Sequence, residues 1–99
     1  MIKHIVLFKL KSFESEALKT AKQEEIKQGL LALDGKVPSL QSIEVGLNCN
    51  PNETFDIALS TTFNNMDDMH AYAQHPDHLA VGKIVREVLE SRSCVDYEF

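Results

Sequence analysis

Three histidines and a tyrosine fall within residues 70–78 of this chain, in the run His70-Ala71-Tyr72-Ala73-Gln74-His75-Pro76-Asp77-His78. A histidine titrates close to neutrality, so it can accept or donate a proton under physiological conditions. A tyrosine hydroxyl can donate a hydrogen bond to negative charge developing on oxygen. Pro76 suits the first position of a helix, which puts His78 inside a first turn whose free N–H groups carry partial positive charge. That field disfavours the imidazolium and favours the neutral ring that a general base needs, while Asp77 favours the cation, so the sequence leaves the net shift open. Across a small apolar cavity, His78 as base and Tyr72 as donor would suffice for carbonyl chemistry such as enolisation or aldol closure. The same residues also fit plainer roles. His75 and His78 can tie a broken helix to a sheet through backbone carbonyls, and Tyr72 can be core with its hydroxyl at the rim.

His4 stands among Ile2, Val6 and Phe8 on one face of the first strand. There it is either a satisfied core histidine or a further polar group of the same pocket. His75 and His78 are separated by a proline that breaks the helix needed to align them, and His70 supplies no well-spaced third ligand, so no metal site is expected. No Gly-rich phosphate loop, nucleophile elbow or C-x-x-C motif occurs, and no cofactor is implied. Cys49 and Cys94 form neither a disulfide framework nor a zinc pattern. They read as reduced, cytoplasmic thiols, with Cys94 expected to be a buried small hydrophobe.

The elements that must position these groups follow from periodicity. Residues 2–10 alternate Ile2, His4, Val6, Phe8 and Leu10 against Ile5 and Leu7 between lysines, a strand that is apolar on both faces. A helix is predicted over 15–34, with Leu18, Ala21, Ile26, Leu30 and Leu33 as its stripe and Gly35 and Pro38 ending it. Gly29 inside it costs about 1 kcal/mol relative to alanine and marks an expected close approach. Strands follow over 40–48 and 55–63. The second of these places Phe55, Ile57, Leu59 and Phe63 on one face and Asp56, Ala58, Ser60 and Thr62 on the other. Asn65 caps a short helix from Met66, Pro76 restarts a second helix through Leu89, and a last strand runs over 93–99.

The order β-α-β-β-α-β defines a ferredoxin-like α+β fold, with a four-stranded antiparallel sheet covered by helices on one face. The other face is open, yet the first strand is apolar there as well. Pairing two such faces across a two-fold axis resolves the conflict and predicts a homodimer.

Composition narrows the partners. The 99 residues fit one domain, spanning the whole chain. A net charge of −5 with scattered basic residues argues against nucleic acid. Lysine and histidine interrupt the opening MIKHIVLFKLK, so it does not read as a signal sequence, and no run is long enough to span a membrane.

MIKHIVLFKLK, GKVPSLQSIEVGLN, AYAQHPDH and VDYEF, in that order, resemble the stress-responsive A/B barrel (Dabb) family along essentially the whole chain. The resemblance implies ferredoxin-like protomers whose sheets pack into a dimeric α+β barrel. Plant polyketide cyclases of that family close an aldol ring with a tyrosine and a histidine beside an HPxH motif, which corresponds here to Tyr72 and His78, with His75 and His4 nearby. Those cyclases also carry an aromatic residue on the first helix; the matching Gln28-Gly29-Leu30-Leu31 has no tyrosine. Three functions therefore stand open: a dimeric binder of a small apolar or aromatic molecule, a cofactor-free enzyme of carbonyl chemistry, and a structural, stress-linked oligomer.

Overall fold

The computed structural model describes residues 1–99. In chain order the elements are β1 (Ile2–Leu10), α1 (Glu16–Leu31), β2 (Ser42–Leu47), β3 (Ile57–Phe63), α2 (Met66–Gln74), α3 (Pro76–Val88) and β4 (Leu89–Glu98). The strands form one antiparallel sheet in the order β2-β3-β1-β4. This is the ferredoxin-like arrangement expected from the periodicity. No helix is long and apolar enough to cross a membrane.

Strand β1 carries the alternation that organises the domain. Ile2, His4, Val6, Phe8 and Leu10 are buried under the helices, while Lys3, Ile5, Leu7 and Lys9 are only half-covered on the other face. Partners directly opposite in an antiparallel ladder share a face. The open face therefore sets Ile5 against Ser60 and Val95, and Leu7 against Ala58 and Ser93. The covered face sets His4 against Thr61 and Asp96, and Phe8 against Ile57 and Arg92.

Local signals place the helices that cover the site. The Asn65 side chain accepts from the Asp68 N–H at 2.8 Å, and Asp67 and Asp68 occupy the favourable first turn of α2. His75 is extended, as a residue before proline should be, and Pro76 opens α3. Gly29 faces Val81 of α3 with room for a methyl group, the nearest atom lying 3.5 Å from where its Cβ would stand. The approach is ordinary packing, not the tight contact expected.

Four details depart from the sequence reading. Helix α1 ends at Leu31, and Leu18 and Ala21 are exposed. Only Ile26 and Leu30 are buried in that helix; Lys19, two turns before Ile26, continues the inward stripe as a polar residue. Asp56 does not share the open face with Ala58, because β3 begins one residue later. Its carboxylate turns inward to accept the Leu10 N–H at 2.8 Å and pair with Lys19 at 2.9 Å, while Phe55 joins Leu7, Gly46 and Ala58 around a hollow in the open face. Strand β4 starts at Leu89, which pairs with Leu10, because hydrogen bonding to β1 captures the chain as it leaves α3. Cys94 is exposed on that edge strand instead of buried.

Candidate functional site

A cavity of about 270 Å³ lies between the covered face of the sheet and helices α1 and α3. Val6, Phe8, Leu30, Leu59, Val85 and Leu89 form its apolar wall. His4, His78, Arg86 and Arg92 are its polar groups. The topology explains the convergence. His4 comes from central β1, His78 and Arg86 lie two turns apart on α3, and Arg92 opposes Phe8 on the neighbouring β4.

His78 sits in the first turn of α3, and its Nδ1 donates to the Ala73 carbonyl at 3.1 Å. A carbonyl only accepts, so this bond places the proton on Nδ1 and leaves Nε2 with a free lone pair. Burial holds the His78 pKa below its ordinary 6.5. The Ala73 bond opposes that shift, and the nearby His4, Arg86 and Arg92 reinforce it. The net direction that the sequence left open between the helix N-terminus and Asp77 is downward, favouring the neutral imidazole, and desolvation is its first cause.

Tyr72 is buried on α2, at 1% exposure, with its ring packed on His78 at 4.5 Å and on Phe63 at 5.1 Å. Its hydroxyl is buried without a hydrogen-bond partner. Burial pushes its pKa up to about 12, so it remains a protonated donor throughout the physiological range. An unpaired buried hydroxyl costs stability, whereas phenylalanine of the same shape does not. Tyr72→Phe is therefore expected to raise stability by about 1 kcal/mol or leave it unchanged, as read by urea denaturation. A clear loss of stability would show that the hydroxyl is already satisfied.

His4 is 8% exposed, and its Nδ1 is hydrogen-bonded to the Asp96 carboxylate directly opposite on β4. A carboxylate accepts, so Asp96 fixes the tautomer and aim of the ring. Thr61 secures the backbone at the same point, its hydroxyl donating to the His4 carbonyl at 3.2 Å. Asp96 was not singled out from the sequence, although its position two residues after Cys94 on an alternating strand offered a signal.

The structure thus brings together three of the four sequence-predicted residues: His4 and His78 line the cavity, and Tyr72 backs His78. His75 is not among the lining residues. It caps α3, its Nδ1 accepting from the Asp77 N–H at 3.1 Å. The metal-type donors that cluster are also different from those weighed in the sequence. His4 Nδ1, Cys94 Sγ and Asp96 Oδ1 lie within 4.8 Å of one another, whereas His70, His75 and His78 form no such group. Within that trio His4 and Asp96 already bond each other, and partial desolvation by its neighbours together with the Asp96 charge raises the Cys94 thiol pKa, which disfavours the thiolate a metal needs.

A four-stranded antiparallel sheet with one open face, and a histidine-lined cavity beneath the helices on the other, defines a ferredoxin-like α+β protomer. More specifically, the chain belongs to the stress-responsive A/B barrel domain family, whose profile matches residues 2–99. A dimeric ferredoxin-like protein of unknown function from Bacteroides fragilis is 50% identical, with a TM-score of 0.93 over 99% of this chain and 95% of that one. A second dimeric ferredoxin-like protein, from Thermobifida fusca, is 25% identical with a TM-score of 0.85, covering 99% of this chain and 90% of its own. Olivetolic acid cyclase from Cannabis sativa is 25% identical over 99 residues, covering 97% of this chain and 94% of its own.

Proposed function

We propose that this protein is a homodimer, joined through its open sheet faces, that binds a small apolar or aromatic molecule in the cavity beside His78. The observation that carries the reading is the apolar cavity of about 270 Å³ lined by His78, whose Nδ1 is tied to the Ala73 carbonyl and whose Nε2 keeps a free lone pair. Buried polar groups are nearly always hydrogen-bonded, and a donor on a bound molecule would complete the His78 Nε2. The description of the Bacteroides fragilis relative as dimeric supports the assembly. Native mass spectrometry of gently purified protein is the direct test. A dimer carrying a reproducible small-molecule mass is expected. A bare dimer, unchanged after incubation with a metabolite extract, would favour a purely structural role.

A second reading, cofactor-free carbonyl chemistry, is favoured by the state of His78 and by the likeness to a plant cyclase. Nε2 of His78 would take a proton from the carbon beside a carbonyl. The C–H electron pair would move to the carbonyl oxygen, where the Tyr72 hydroxyl donates a hydrogen bond to the enolate. The imidazolium exchanges that proton for a solvent deuteron and delivers the deuteron to the same carbon, restoring the neutral base. Exchange of a small β-diketone in deuterated buffer, followed by proton NMR, reads this step without knowledge of the natural substrate. His78→Gln is expected to lower the exchange rate by about 100-fold with the fold intact. The wild-type rate should fall only below pH 6.5, because the base is lost as His78 protonates below its ordinary value. Exchange no faster than in buffer alone would remove catalysis and leave the binding reading.

A further inference from the structure

The apolar cavity has a cationic mouth that its walls do not require. Arg86 lies in the last turn of α3, where the helix dipole favours a cation. Arg92 projects from the covered face of β4 opposite Phe8. Both line the cavity, and neither has a carboxylate within 4.0 Å, although the chain carries fifteen acidic residues against ten basic ones. Of the acids on the same strand, Glu90 pairs with Lys9 and Asp96 is engaged by His4. Two guanidinium groups without a carboxylate partner, lining one apolar chamber, are the recognition elements for an anion attached to an apolar body.

Gly82 belongs to the same arrangement. It lines the cavity one turn before Arg86, and a Cβ placed there would stand 3.2 Å from Arg86 Nη1. The bare backbone at Gly82 is what lets the arginine fold back along α3 toward the chamber. Glycine in a helix interior is otherwise unfavourable, so its presence fits a need to seat that side chain.

We infer that Arg86 and Arg92 form the anion anchor of the cavity, and that its ligand is a small amphipathic acid with its apolar part among Val6, Phe8 and Leu59 and its carboxylate at the two guanidinium groups. This rests on the binding reading above and specifies its ligand class. The same two arginines add, after desolvation and His4, to what holds the His78 pKa down.

Calorimetric titration of the intact protein with octanoate and with 1-octanol separates the two claims. At low salt octanoate should bind about tenfold more tightly than the alcohol, the worth of one charge-assisted hydrogen bond. Arg86→Gln combined with Arg92→Gln should abolish that difference while leaving the alcohol's affinity unchanged. Gly82→Ala should raise Tm by about 3–6 °C as a helix substitution, yet weaken octanoate by displacing Arg86. Equal affinities for acid and alcohol, or an unaltered octanoate affinity in the double variant, would overturn the anchor while leaving the cavity reading intact. If neither probe binds nor perturbs the His78 ring signals in NMR, the cavity reading fails and takes the anchor with it. Should the double variant instead lose mass in sedimentation with ligand affinity unchanged, the arginines are interface groups.

Discussion

Ala58→Glu is expected to convert the proposed dimer into a folded monomer in sedimentation velocity. Ala58 is exposed on the open sheet face and lines, with Leu7, Gly46 and Phe55, an apolar hollow of about 390 Å³. The same face carries Val95 at 54%, Tyr97 at 43% and Phe99 at 61% exposure, with Ile5 and Leu7 half-covered between them. Such a contiguous apolar surface marks an interaction site. A two-fold interface is self-complementary, so one substitution puts two carboxylates into it at once. Burying an unpaired carboxylate costs several kcal/mol, enough to separate an interface of ordinary strength. Because Ala58 is exposed on the sheet face opposite the helices, the monomer should retain its secondary structure by circular dichroism. An unchanged mass would mean that the partner docks elsewhere.

The largest effect on the protomer itself is expected from Asp56→Ala, a loss of about 2–4 kcal/mol in urea denaturation. Asp56 is 7% exposed, and its two carboxylate oxygens serve different elements. Oδ2 accepts the buried Leu10 N–H at the end of β1, and Oδ1 pairs with Lys19 of α1 at 2.9 Å. Alanine leaves a buried N–H without a partner and a lysine without its counter-charge, and removes the link between sheet and helix. Asp56→Asn keeps one acceptor for Leu10 and should cost clearly less. Equal losses in the two variants would show that the charge, not the cap on β1, carries the contribution.

Periodicity alone was enough to recover the element order, the sheet class and the two-faced character of β1, because each rests on local chemistry. Alternation in Ile2–Leu10 specifies a strand with two apolar faces wherever it is placed. Asn65 and Pro76 specify helix starts through a side-chain cap and a fixed φ. The candidate site was legible for the same reason only in part: HPDH beside a tyrosine is a local pattern, and it led to His78 and Tyr72. His75 stands outside the cavity lining because a residue before a proline-initiated helix has a competing local use, capping that helix with its own ring.

What the chain pattern could not decide depends on contacts between segments distant in sequence. Asp56 sits in an alternating run and reads as an open-face residue until the free N–H of Leu10 and the charge of Lys19 turn it inward. Asp96 acquires its role only when β4 pairs with β1 in the register that sets it opposite His4. Arg86 and Arg92 are ordinary surface cations in the sequence; packing α3 and β4 around Val6 and Phe8 brings them to one cavity. Secondary structure answers to neighbours along the chain, whereas the site is made of neighbours in space, and those are chosen by strand register and helix packing.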